Sequence, residues 1–98
     1  MQRPKGNDVR RATFAGPADL APFFRNGRLE TIPAARSRRL AVLAHIAARF
    51  QSGRTYSEDE VNRTLQSFSN DHATLRRYLV DAGLLQRERG TYRKARSA

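Results

Sequence analysis

The chain has 98 residues, no cysteine, and 19 lysines and arginines against 9 acidic residues, for a formal charge of +10. A chain of this size makes one small domain, since domains cluster near about 100 to 150 residues, and a large catalytic cleft is not expected. The missing cysteines exclude disulfides and thiolate metal sites and point to a reducing cytoplasm, while the longest apolar stretch, Leu40 to Ala48, is broken by His45 and falls far short of the ~20 residues that span a bilayer.

The opening segment, residues 1 to 16, carries Arg3, Lys5, Arg10 and Arg11 with Pro4, Gly6 and Gly16 and has little to bury. It reads as a flexible basic arm, with or without phosphate contacts, preceding a domain over 17–98. Met1 to Arg11 has no apolar signal core, so export is not expected. Pro17 to Phe24 is compatible with a short helix contributing Leu20, Phe23 and Phe24, weakened by Pro22. Asn26-Gly27 marks a turn, and the alternation over Leu29 to Ile32 predicts a short strand ended by Pro33.

Pro33 suits the first turn of a helix, where its missing N–H is not needed. Leu40, Leu43, Ala47 and Phe50 then form an apolar stripe, with Val42 and Ile46 beside it, and predict a central core helix. Arg36, Arg38 and Arg39 sit at its positive end, which favours either an anionic partner or simple solvation. His45 has no metal-ligand spacing to His72, so neither is expected to hold a metal.

Gln51-Ser52-Gly53 ends that helix, and Arg54 to Tyr56 is long enough for one extended pairing segment. Ser57 and Glu60 form an S-x-x-E capping box, with Glu58 and Asp59 adding acid where the helix dipole favours it. Val61, Leu65 and Phe68 give this second helix its buried face. Ser69 or Asn70 is the expected cap of a third helix, and Gly83 its left-handed stop. Leu84 to Glu88 and Thr91 to Ala95 flank Arg89-Gly90 as a hairpin, with Arg87, Arg89, Arg93 and Lys94 at its tip and on its strands.

A long helix, an extended segment, a capped helix, a turn, another helix and a basic hairpin is the order of a winged helix-turn-helix, a mainly α fold with a small β-hairpin, here with an extra N-terminal strand. At 100° per residue, Leu75, Tyr78, Leu79 and Ala82 of the third helix point inward. Asn70, Ala73 and Arg77 fall nearly opposite, with Thr74 and Arg76 on the flanks. Arg77 has the reach for guanine, Asn70 for adenine or a phosphate, and Ala73 or Thr74 for a thymine methyl. Against this, Arg77 and Asp81 stand i, i+4 and can pair with each other, and Asp71 would repel phosphate.

The run from Phe23 to Ala95 resembles the bacterial family known as domain of unknown function 2087. The resemblance rests on F-x-x-G-R-L-x-x-I-P at Phe24 to Pro33, R-x-Y-S-E-x-E-V-N at Arg54 to Asn62, D-x-A-T-L-R-R-x-L-V at Asp71 to Val80, and G-L-L-x-R at Gly83 to Arg87. Members stand alone or joined to regulator-type helix-turn-helix domains and sometimes to acetyltransferases. The resemblance implies a role in transcriptional regulation without an assigned biochemical activity. It also implies that the G-R-L-x-x-I-P segment adds a strand or a dimer surface, and that Asn62 hydrogen-bonds a loop and so ties the second helix to its neighbour.

The leading expectation is a small DNA-binding transcriptional regulator, with a helix-turn-helix over residues 57–82 and a basic wing over 84–95. Asn70, Thr74, Arg76 and Arg77 would lie on the reading helix, and Arg87, Arg89, Arg93 and Lys94 on the wing. The alternative is a protein-interaction or dimerisation module without its own sequence-specific DNA binding. RNA association ranks last, because Phe50, Tyr56, Phe68 and Tyr78 are assigned to the core and not to exposed stacking. No enzymatic role, cofactor or metal is expected: Ser69, Asp71 and His72 at one helix start do not supply a triad with an oxyanion site, and no phosphate-binding loop or paired-histidine motif is present.

Overall fold

A computed structural model describes residues 16–95; of the basic arm expected over residues 1 to 16, all but Gly16 lies outside them. The described chain begins with a 3-10 turn, Ala18–Phe23, which buries Leu20 and accommodates Pro22. A small hairpin follows, β1 (Phe24–Arg25) and β2 (Arg28–Leu29), with Phe24 opposite Leu29 and Arg25 opposite Arg28. Asn26 and Gly27 both have positive φ, 54° and 80°, as a type I′ turn requires.

The strand expected over Leu29 to Ile32 is therefore shorter and earlier. Glu30 N–H donates to Phe23 O at 2.7 Å, the next rung of the hairpin ladder, while Leu29 N–H turns outward to Phe68 O at 2.8 Å, and no strand continues to Ile32.

Among the described residues three α-helices form the body: α1 (Arg36–Ala47), α2 (Glu58–Gln66) and α3 (His72–Asp81). α1 starts three residues after Pro33, and no side chain caps it at Ala35. Arg39 Nη1 donates to Ala34 O at 2.9 Å, which ties the first turn back to the segment before it. Its buried side is Val42, Leu43, Ile46 and Ala47, and Leu40, expected in the stripe, is 38% exposed. At 100° per residue, Leu40 lies on the edge of the arc centred on Leu43 and Ile46, and the neighbouring elements do not reach it.

α2 begins as predicted. Ser57 Oγ accepts from Glu60 N–H at 3.1 Å while Glu60 Oε1 accepts from Ser57 N–H at 2.9 Å, closing the capping box. α3 departs from expectation at its start. Neither Ser69 nor Asn70 caps it: the capping position is Asp71, which makes no side-chain cap bond, and Ser69 Oγ accepts from Asp71 N–H at 3.1 Å just upstream. Its end is as predicted. Gly83 has φ +76°, with Gly83 N–H bonded to Val80 O at 3.0 Å and Leu84 N–H to Leu79 O at 2.9 Å, the paired bonds of a Schellman motif.

Three strands complete the chain, β3 (Thr55–Ser57), β4 (Leu85–Glu88) and β5 (Thr91–Lys94), in an antiparallel sheet of order β3-β5-β4. The short segment after α1 thus pairs with the far arm of the hairpin, Tyr56 opposite Tyr92. The described residues form a small α+β arrangement with two antiparallel sheets. Its core joins Val42 and Ile46 of α1, Val61 and Leu65 of α2, Leu75 and Leu79 of α3, and Leu85 and Tyr92 of the sheet. Among the described residues no helix is long and apolar enough to cross a membrane.

Candidate functional site

The pleat of the sheet decides where the hairpin's cations go. Side chains alternate between faces and register partners share one. Leu85 is opposite Lys94 and Arg87 opposite Tyr92, so these four lie on the face that carries the buried Leu85 and Tyr92. Gln86, Glu88, Thr91 and Arg93 lie on the other face. The four basic residues expected to act as one wing are therefore divided. Arg87 and Lys94 point to the helix side, Arg93 points away, and Arg89 occupies the turn.

That turn has its own strain. Arg89 and Gly90 have φ of 53° and 80°. Both values match a type I′ hairpin, which settles the turn type that the sequence leaves open, but place a side chain in the left-handed region where glycine or asparagine is usual.

Arg87 is held over the ring of Tyr92, 5.9 Å from its centroid. Tyr92 O–H in turn donates to Glu58 Oε1 at 3.2 Å, at the first turn of α2. Burial, followed by this bond, raises the phenol above its usual range, so Tyr92 remains a neutral donor at physiological pH.

The third helix presents Ala73, Thr74, Arg76 and Arg77 to a groove of about 440 Å³ whose other wall is Arg87 and Tyr92. Arg76 donates to Asn62 Oδ1 across the helix pair, so one arm of its guanidinium is already engaged. Asn62, expected to bond a loop, thus bonds a side chain of α3 itself. Arg77 sits at the outermost position of α3, opposite Leu75 and Leu79, and is exposed. The i, i+4 pairing expected between Arg77 and Asp81 is absent: the ion pairs among the described residues are Arg25–Glu30 and Arg54–Glu60. The groove therefore gathers three guanidiniums around one carboxylate, Asp81.

Of the eight residues singled out from the sequence, the structure brings Thr74, Arg76, Arg77 and Arg87 to this one groove. Asn70 is not among its lining. It precedes α3 and its Oδ1 accepts from Arg28 Nη2 at 3.0 Å, while Arg28 Nη1 donates to Gln66 O at 3.0 Å. Arg28 thereby fastens the first hairpin to the turn between α2 and α3, a role that no local signal around position 28 reveals. Tyr92 was also missed as a wall of the groove; its place follows only from the register with Arg87.

A family model described as an uncharacterized protein conserved in bacteria (DUF2087) matches residues 28–94. No curated protein and no solved structure matches the chain.

Proposed function

The chain belongs to DUF2087, a family described as uncharacterized, and we propose that within it this protein is a small DNA-binding regulator that docks through the α3–hairpin groove. The observation that carries this reading is the convergence of Thr74, Arg76 and Arg77 from α3 with Arg87 from β4. Order and pairing of elements support a winged helix-turn-helix: α2 and α3 are joined by a short turn, and β3 closes against the hairpin that follows. In such domains the second helix of the pair enters the major groove and the hairpin follows the adjacent backbone.

Within that arrangement Arg77 is the base-reading side chain, outermost on α3 and free of Asp81, with Thr74 and Ala73 small enough for close approach. Arg87 and Arg89 contact phosphates, which fixes position without reading sequence. Asn70 stands outside the groove and, held by Arg28, positions the start of α3.

Titration of a mixed-sequence duplex at two salt concentrations tests the reading. Binding at micromolar protein that weakens steeply with salt supports it; no binding at the lower salt concentration overturns it.

The competing reading is a protein-interaction module. The observation in its favour is Leu40, an exposed large apolar residue on α1. One such side chain is ordinary on a surface, which is why the charged groove decides the order of the two. A dimer in light scattering that is insensitive to salt and is broken by Leu40→Asp would reverse that order.

A further inference from the structure

On the opposite flank of α2 lies a second basic cleft that the DNA-binding reading does not use. α2 turns Glu58 and Asn62 toward Tyr92 and Arg76. Glu60 and Thr64, two residues further on in each case and thus roughly 200° around the axis, face away from them. There they line a cleft of about 380 Å³ together with Arg49, Arg54, Arg63 and Tyr56.

The polar groups of this cleft are out of balance. Its one carboxylate, Glu60, has both oxygens in use: Oε1 accepts from Ser57 N–H, and Oε2 is paired with Arg54 at 3.1 Å. Tyr56 is 6% exposed, and its hydroxyl already accepts from Gln51 N–H at 2.7 Å, leaving the phenolic proton without an acceptor among the described residues. Arg49 is placed against the Phe68 ring, 5.5 Å from its centroid, and Arg54 over Tyr56 at 4.7 Å, so the two aromatic faces set where these guanidiniums sit. Neither Arg49 nor Arg63 has an ion-pair partner among the described residues. The site thus holds an excess of donors and positive charge around a space the size of a small ligand, and what it lacks is an acceptor with several oxygens.

We propose that this cleft binds a phosphoryl group, with Arg49 and Arg63 supplying charge and the Tyr56 hydroxyl a directed hydrogen bond. Guanidinium forks match phosphate oxygens bidentately, and a phosphoryl group brings the acceptors that the cleft lacks. The phosphoryl group has two possible sources, a small phosphorylated molecule or a nucleic-acid backbone reached beyond the groove. The cleft's chemistry is the same for both, and it does not depend on whether the α3 groove binds DNA.

The test is titration of the full chain with inorganic pyrophosphate at constant ionic strength, followed by NMR on the arginine side-chain N–H signals. Saturable shifts confined to Arg49, Arg54 and Arg63 are expected at millimolar ligand. Arg63→Gln and Tyr56→Phe should each weaken binding about two- to fivefold, while Arg77→Gln leaves it unchanged. Tyr56→Phe keeps the ring in the core but also takes the acceptor from Gln51 N–H, so its melting temperature is measured alongside, and Arg63→Gln, which breaks no such bond, decides the outcome. Shifts that do not saturate, or an equal loss in Arg77→Gln, would mean diffuse charge and overturn the proposal. A parallel duplex titration separates the sources: if Arg63→Gln weakens both, the phosphoryl group belongs to a nucleic-acid backbone, and if it weakens pyrophosphate alone, to a small molecule. Should no duplex bind at all, the pyrophosphate result still stands on its own.

Discussion

Arg28 Nη2 donates to Asn70 Oδ1 at 3.0 Å, so the residue in front of α3 is held by a hairpin 42 positions earlier in the chain. The same guanidinium reaches Gln66 O at the end of α2, and Leu29 N–H bonds Phe68 O beside it. The turn between α2 and α3 is thereby fixed from outside the helix pair. Arg28→Ala is expected to destabilise the fold by about 0.5 to 1 kcal/mol, because hydrogen bonds from a charged donor are lost at an exposed site. Hydrogen exchange should rise over residues 66–71 and little elsewhere. Arg28→Lys should recover part of the loss at most, since a single ammonium does not reproduce the fork. Unchanged exchange in the turn would show that the clamp does not order it.

Arg76 and Asn62 join α3 to α2, and their coupling is measurable. In a double-mutant cycle with Arg76→Ala and Asn62→Ala, the two losses should be non-additive by about 1 kcal/mol. Urea unfolding provides the four free energies. Additive losses would show that the bond contributes nothing to stability.

Arg89 lies at φ 53° in the first position of a type I′ turn. Arg89→Asn should stabilise the hairpin by about 0.5 kcal/mol, because asparagine tolerates the left-handed region at lower cost. The same substitution removes a cation, so under the DNA reading it should lower the salt slope of duplex binding by roughly 0.9. A variant that melts higher and binds duplex less steeply with salt satisfies both parts. Lower melting would show that the Arg89 side chain makes a contribution larger than its backbone strain.

The division of the hairpin by its pleat separates its arginines. Arg77→Ala and Arg87→Ala should each weaken duplex binding more than Arg93→Ala, which sits on the outer sheet face with Gln86 and Thr55. Equal losses in all three, measured by fluorescence anisotropy at one salt concentration, would mean that net charge and not the groove governs binding.

Two groups contribute to the acid side of the stability curve. His45 is held below its ordinary value of 6.5, first by burial and then by Arg49. The unfolded chain therefore takes up this proton more readily, and stability should decline as pH falls below about 6.5. Glu60 is held below 4.5, chiefly by the Ser57 N–H bond and then by Arg54. Its contribution is present above that value and is lost as pH falls through the lower folded-state value. Melting temperatures of the wild type and of His45→Gln between about pH 5 and 8 check the first step, which the variant should flatten; extending the series to about pH 2 checks the second, which Glu60→Gln should flatten.

What the sequence determined alone was local. The Ser57–Glu60 capping box, the Gly83 stop, the Asn26-Gly27 and Arg89-Gly90 turns, and the inward positions Leu75 and Leu79 all depend on groups within about four residues of one another, where spacing dictates geometry. The tertiary structure decided everything that needs two distant segments side by side. Arg28 was invisible as a clamp because its partners lie in a turn some forty residues away. Leu40 fitted the stripe but no element reached it. The hairpin's four cations looked like one surface until register assigned Arg87 to the face of Tyr92 and Arg93 to its reverse. Arg77 and Asp81 had the spacing to pair, yet at an exposed site that spacing gains too little to hold two long side chains together. Periodicity says which side of an element is apolar; which neighbour meets the polar side, and whether a charge is left unpaired there, is settled only when the elements pack.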